Sequence, residues 1–382
     1  MKEKAPLALF VVWHPGFQEG ITYANLIFSE FKRNVNDPLS RGMNIPVFFR
    51  FVKPLADIPN DYQFTVVVAL IDSLFMISGE HVTYLQSLHE GNRDGFLIIP
   101  VAVEKTALNL SLGSLNFARL YEKDAKDTKA EYLTSVIAHE TARHLYNLPE
   151  RSASSIIAGP PSPLKLFISH AKADGLEIAA HLKIYVEKSL PLKTFFDAND
   201  IAIGYDFSKE IERYISDTVI IAIHTDMYSS REWCRREILL AKENNRPIVV
   251  LNCFLNGESR SFPYMANVLT VHYASLEDDG KQGGTSVWSK VITAVLKETL
   301  RLRYQELWMD YVGKALDYDL TSVVISAYPP ELITVLKKID QVGDTFIYPD
   351  PPLGSEEMAI IELMSKRIRP SSIIKYLTPS QL

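Results

Sequence analysis

A chain of 382 residues, 47% hydrophobic and 23% charged, carries enough apolar material for two or three separate cores, which excludes a single small module and wholesale disorder. Its net charge of -6 supplies no overall positive field, so direct nucleic-acid binding is not expected outside a local patch. Two cysteines, Cys234 and Cys253, are too few for a disulfide framework or a four-thiolate zinc site and fit a reducing, cytoplasmic setting.

In chain order, a short apolar run (Leu7 to Val12) meets Trp13-His14-Pro15 too early to be the apolar core of a secretory signal. A helix-like stretch (Tyr23 to Arg33) follows, then apolar runs at Ile45 to Val52, Phe64 to Leu70 and Phe96 to Val103, with a helix near His81 to His89. The purely apolar stretch Val66 to Ile71 ends at Asp72 and, like the others, falls far short of the roughly 20 residues of a membrane span, so no membrane partner is expected. Short buried strands alternating with helices predict a helix-covered parallel sheet, closed by an amphipathic helix from Lys129 to Tyr146. The small polar and proline-rich stretch 151–163 marks a linker, giving a first domain over residues 1–150.

Residues 164–284 repeat the plan. Strands are expected at Leu164 to Ser169, Lys193 to Phe196, Val219 to His224, Pro247 to Phe254 and Val268 to Tyr273, with helices at Gly175 to Leu190, Phe207 to Ser216 and Glu232 to Glu243. The chain therefore reads as two tandem copies of one α/β architecture. Residues 285–382 open with a long helix, Val287 to Ala315, and continue as a small α/β region: strand Thr321 to Tyr328, helix Pro330 to Ile339, strand Thr345 to Tyr348 and helix Ser355 to Ser365. The proline-fixed segment Phe346 to Gly354 is expected to be structural.

Nucleotide-binding glycine motifs and the Gly-x-Ser-x-Gly elbow are absent. His139-Glu-Thr-Ala-Arg-His144 resembles a zinc-protease motif, but histidines five apart lie roughly 140° from each other on a helix, so they read as polar positions on the closing helix. Basic clusters at Arg301 with Arg303 and at Lys366-Arg367 with Arg369 read as solvated faces.

Three blocks in the second unit carry the chemistry: Leu166-Phe-Ile-Ser-His-Ala-Lys-Ala-Asp174, Phe195-Phe-Asp-Ala-Asn-Asp-Ile-Ala-Ile-Gly204, and Tyr228-Ser-Ser-Arg-Glu-Trp-Cys-Arg-Arg-Glu237. Each falls at or just after the carboxyl end of an expected strand, the edge where open α/β sheets bind ligands. In this order the blocks resemble the TIR (Toll/interleukin-1 receptor) domain family over roughly Pro163 to Ser275, in its bacterial and plant-like form. The resemblance implies a flavodoxin-like three-layer fold with a parallel sheet. It also implies self-association and, in many members, cleavage of the nicotinamide–ribose bond of NAD+ by a glutamate whose place Glu237 holds.

That chemistry is intelligible from the residues. Breaking an N-glycosidic bond next to a cationic pyridinium builds oxocarbenium character on the ribose, so a carboxylate is needed more than a metal, and nicotinamide leaves as a neutral molecule. NAD+ is then a substrate, and no cofactor is called for. Trp233 and Cys234 would pack the helix start and limit water around Glu237. Ser169, His170 and Lys172 would offer donors to phosphates or ribose, while Ser230, Asp197 and the loop through Gly204 and Tyr205 would flank the pocket. The other reading of Glu237 is a first-turn helix acid held by the helix dipole.

The first unit has Trp13-His14-Pro15 where the second has Ser-His, and its helix around His81 lacks Trp-Cys-x-x-Glu. It is expected to be a TIR-like fold without NAD+ cleavage, serving recognition, regulation or assembly. The sequence thus points to an assembly-dependent NAD+ nucleosidase, a triggered effector of bacterial anti-phage defence answering to a trigger or regulatory partner that the resemblance does not name. Two other readings remain open: a non-enzymatic TIR scaffold, and a cyclase that makes a signal nucleotide.

Overall fold

The computed structural model describes residues 4–32, 42–91, 95–112, 115–123, 126–146, 164–189, 193–195, 215, 218–258, 260–273, 286–315, 323–338, 343–371 and 373–382. The chain divides into two compact units, one formed by Met1–Ile137 with Arg301–Leu382 and the other by Ala138–Leu300. The expected linker at 151–163 and the expected helix at Phe207 to Ser216 lie outside the described residues, apart from Ile215.

In the first unit, strands β1 (Ala5–Trp13), β2 (Val47–Arg50), β3 (Tyr62–Ile71), β4 (Phe96–Ala102) and β5 (Ala118–Arg119) form a sheet in the order β2-β1-β3-β4-β5. Every pairing in it is parallel. From Pro6 to Trp13 the backbone of β1 is wholly buried, as a strand covered on both faces must be, which is why its sequence is a continuous apolar run rather than an alternation. The helices are α1 (Gly20–Phe31), α2 (Ser73–Ile77), α3 (Gly79–Glu90) and α4 (Lys126–Tyr146). Because the crossovers from β1 to β2 and from β3 to β4 run in opposite directions along the sheet, right-handed connections send α1 and α3 to opposite faces. One face carries Ala8, Phe10 and Val12 of β1 with Val67, Ala69 and Ile71 of β3 against Phe75 and Leu85 of α2 and α3. Helix α2 starts where Asp72 accepts the Phe75 amide at 2.9 Å.

The second unit holds β6 (Lys165–His170), β7 (Lys193–Phe195), β8 (Val219–His224), β9 (Ile248–Asn252) and β10 (Leu269–His272), with helices α5 (Leu176–Ser189) and α6 (Glu232–Glu243). Its strand order, β10-β9-β8-β6-β7, is that of the first sheet, and all its pairings are parallel. Both are doubly wound sheets whose topological switch point lies between the first strand and the third. On α6, the residues Cys234, Glu237, Ile238 and Ala241 recur at helical spacing and are buried. Cys234, Ile238 and Ala241 pack with Phe167, Ile220, Ala222, Ile248 and Val250 of three strands.

Helix α7 spans Val287–Ala315, as expected from its sequence, and the region beyond it, grouped with the first unit, is a three-stranded parallel sheet in the order β11-β12-β13. Its strands are β11 (Val323–Ile325), β12 (Thr345–Ile347) and β13 (Lys375–Leu377), with helices α8 (Leu332–Lys338) and α9 (Ser355–Ile368). Helix α8 begins two residues after Pro330, so the helix expected over Pro330 to Ile339 is shorter at its start and the proline precedes it. Trp308 and Met309 of α7 pack on Val323, Ile325 and Ile347. Tyr348 is fully buried and its hydroxyl accepts the Leu353 amide at 3.0 Å, which ties down the proline-rich segment and supports its structural reading.

Candidate active site

The last two residues of β6, Ser169 and His170, stand at the carboxyl edge of the second sheet beside the switch point. Helix α6 faces them from the segment that follows β8. Glu232 is the first residue of α6, so Glu237 lies beyond its first turn. Burial of Glu237 to 9% exposure and its packing face set aside the reading of this residue as a solvated first-turn acid.

Ser169, 1% exposed, donates its proton to Glu237 Oε2 at 2.5 Å and is bonded to the Tyr228 hydroxyl at 2.6 Å. A serine hydroxyl has one proton, and here it is committed to the carboxylate, so the Tyr228 hydroxyl is the donor in the second bond. Ser169 therefore spends its donor on Glu237. Burial, reinforced by the charges of Cys234 and Glu237, pushes the Tyr228 phenol well above its ordinary value and keeps it a donor. The Cys234 thiol is raised to about 12 by burial first and by Glu237 second, which leaves it an inert, buried sulfur.

Tyr228 is held from several directions. Its amide donates to the Thr225 carbonyl at 3.0 Å, and the His224 ring meets its ring edge-on at 5.4 Å. The Asp174 carboxylate accepts Thr225 Oγ1 at 2.7 Å and the Met227 amide at 3.0 Å, tying the turn after β6 to the turn after β8. Asp226 accepts the amides of Leu255, Asn256 and Gly257, so the segment leaving β9 is fastened to the same turn. These bonds hold its carboxyl below the usual range, the Asn256 amide foremost. His224 Nε2 lies 3.1 Å from Glu258 Oε2 and 3.2 Å from Ser229 Oγ. Burial would raise Glu258, but hydrogen bonds from Ser229, Ser261 and His224 outweigh it and lower the carboxyl.

Other expected site residues are placed differently. Trp233 does not pack into the core: it is 41% exposed, with the Arg236 guanidinium 5.2 Å from its ring centre. One residue on along α6, Cys234 turns about 100° to the buried side, so the two neighbours cannot both cover Glu237 from within. His170 is nearly buried, with Nδ1 3.4 Å from the Ile168 carbonyl, and Lys172 is exposed in the turn that follows. Ser230, also exposed, donates to the Met227 carbonyl at 2.6 Å. Asp197, Gly204 and Tyr205 lie outside the described residues. Tyr228, Asp174, Asp226, His224 and Glu258 were given no role from the sequence. Asp174 closes one of the quoted blocks and Tyr228 opens another, and position in those blocks was the available signal.

The matching place in the first sheet has different chemistry. The rings of His14, after β1, and His81, on α3, lie 5.0 Å apart, and His81 Nδ1 is 2.8 Å from Ser78 Oγ. Burial, then His14 and Lys53, lower the His81 pKa, so its ring is neutral at neutral pH. His139 and His144, read as polar positions of the closing helix, are buried in α4, and His139 Nδ1 is 2.9 Å from Glu140. Among the described residues no group of histidine, cysteine and acidic side chains could hold a metal ion.

The TIR domain family profile matches residues 166–284. This segment is a TIR domain. The match takes in β6, Tyr228 and the whole of α6 with Glu237. Among solved structures, the TIR domains of the activated Roq1 resistosome directly recognizing the pathogen effector XopQ align at 21% identity and a TM-score of 0.21, over 23% of this chain and 58% of that one. The present chain thus spans little more than half of that relative. Tagatose-6-phosphate ketose/aldose isomerase from Escherichia coli aligns at 12% identity and a TM-score of 0.21, over 81% of this chain and 84% of that one. A putative enzyme of the same name from Clostridium novyi NT gives 11% identity and the same TM-score, over 79% of each chain. At these scores the superpositions say nothing of function, and the family match alone bears on the site. No curated protein matches the chain. No helix among the described residues is long and apolar enough to cross a membrane.

Proposed function

We propose that the TIR domain is an NAD+ nucleosidase that breaks the nicotinamide–ribose bond, with Glu237 as the catalytic carboxylate. The observation that carries this reading is the placement of Glu237 within the matched segment: a carboxylate on the inner face of α6, hydrogen-bonded to the end of β6 at the sheet's switch point. A carboxylate there, away from bulk water, suits the stabilisation of an oxocarbenium-like ribose, because charge stabilisation is strongest where little reorganises. Half-exposed Trp233 offers an aromatic face at the rim, and exposed Lys172 offers a donor to the phosphates.

In this reading the protein works in the cytoplasm as a triggered effector of anti-phage defence. Copies associate through their TIR domains to become active, and the first unit, whose α3 lacks the Trp-Cys-x-x-Glu block, serves regulation or assembly. The test is incubation of the full chain with NAD+ at low and high protein concentration. Nicotinamide release that rises with concentration in the wild type and is lost in Glu237→Ala supports the proposal. Absence of release from the wild type in every condition contradicts it.

A further inference from the structure

We infer that Tyr228 is a positioning residue for Glu237, acting through Ser169 to fix the orientation of the carboxylate and keep it ionised. The inference rests on the reading of Glu237 as the catalytic group, but the contacts that carry it are independent of any substrate. A phenylalanine would fill the space of the fully buried Tyr228 ring, so packing does not require the hydroxyl. That hydroxyl reaches Ser169 Oγ at 2.6 Å, and Ser169 reaches Glu237 at 2.5 Å, with the proton order phenol to serine to carboxylate.

The Ser169 donor favours the charged form of the carboxyl, against the burial that favours the neutral one, and Tyr228 strengthens it by donating to the same serine. Among the described residues, Cys234 on the helix's own buried side stays protonated at about 12 and contributes no charge at neutral pH, while Asp174 and Arg231 are the charged groups near enough to act on that thiol. The phenol is not free to turn away. Its backbone is pinned through Thr225 and Met227 to Asp174, and its ring lies against His224, itself bonded to Glu258. A hydroxyl fixed by this many neighbours transmits its position to the carboxylate, which a lone serine with three staggered rotamers would not do.

The test uses the full chain labelled with 13Cδ-glutamate, with the Glu237 signal assigned by its loss in Glu237→Gln. The carboxyl carbon is titrated in the wild type, Tyr228→Phe, Ser169→Ala and Ser169→Thr, and nicotinamide release is measured on the same proteins. Removing the phenol hydroxyl raises the Glu237 pKa by about half to one unit, and removing the serine hydroxyl raises it by one unit or more. The nicotinamide kcat falls about fivefold in Tyr228→Phe and about 30-fold in Ser169→Ala, KM stays within about twofold, and Ser169→Thr restores the wild-type titration. Unchanged titration of Glu237 in both Tyr228→Phe and Ser169→Ala overturns the inference, and so does a change confined to KM. Should Ser169→Ala fail to fold, Tyr228→Phe decides alone, since it keeps the ring. The titration needs no turnover, so a wild type without nicotinamide release sinks the proposed function while the titration still decides the role of Tyr228.

Discussion

Replacing Ser169 by alanine removes a single oxygen from the second unit, yet it breaks both bonds that join β6 to the segment after β8 and to α6 at this edge. The bond to Glu237 has a charged acceptor and both partners are buried, so its loss costs about 1.5–3 kcal/mol. The Tyr228 hydroxyl, also buried, loses its acceptor as well, which brings the total to about 2–4 kcal/mol. For a unit of this size each kcal/mol moves the melting temperature by roughly 2–4 °C, so a fall of about 5–15 °C is expected in the transition of the second unit. Calorimetry of Ser169→Ala, Glu237→Ala and the double variant measures it. In the Glu237→Ala background the Ser169→Ala change costs about 1 kcal/mol, leaving a coupling of about 2 kcal/mol between the two side chains. Additive effects, with a coupling below about 0.5 kcal/mol, would refute the hydrogen bond as the link between them.

Cys234 and Cys253 are both buried with thiols raised to about 12, so at pH 8 roughly one thiol in ten thousand is ionised, and neither is alkylated by iodoacetamide until the protein is unfolded. Labelling of the native protein at the rate of a free thiol would contradict this burial. Gly95→Ala strains the first unit, because Gly95 has a φ of +80° and an added Cβ would stand 2.2 Å from the Gln63 carbonyl oxygen. A loss of about 1–3 kcal/mol in urea unfolding is expected, and wild-type stability would refute it. Glu258 has its carboxyl lowered in the folded state, so its contribution is present above the unfolded value and lost as pH falls through the folded one. Stability of Glu258→Gln therefore falls less steeply with acid than wild type, and parallel curves would show that the His224 contact does not matter. Trp233→Ala leaves stability within about 1 kcal/mol of wild type while raising KM for NAD+, since the ring is 41% exposed. A large stability loss with unchanged KM would return Trp233 to a packing role.

Buried parallel strands announce themselves as unbroken apolar runs, which is why Val219–His224 and the long helix Val287–Ala315 coincide with their sequence readings and the other strands shift by only a few residues. Strands β5 and β13 were not foreseen, because a two-residue and a three-residue strand carry no periodicity of their own and exist through pairing with a neighbour. That the two large sheets share one α/β architecture was legible in the alternation of strands and helices, whereas their common strand order is set by long-range pairing. Glu237 was legible through its block.

Its immediate surroundings were legible only in part. Trp233 and Cys234 are adjacent in sequence, and which of them turns inward depends on the phase of α6, which Ile238 and Ala241 set by packing against the sheet. The bond from Ser169 joins residues 68 apart, and the bond from Tyr228 joins residues 59 apart, so neither can be read from local spacing. His139 and His144 were read as polar positions of α4, and both are buried; His144 lies seven residues after buried Ile137 and three after buried Thr141, on the face that the helix packs inward.

The most direct test of the role given to Glu237 is the rate of nicotinamide release by Glu237→Gln. This change keeps the shape of the side chain and an oxygen to accept from Ser169, and it removes only the charge. A fall of about a hundredfold or more relative to wild type, with the fold intact, is the result predicted for a carboxylate that stabilises the oxocarbenium-like ribose. Release at the wild-type rate would show that the charge of Glu237 is not what breaks the bond.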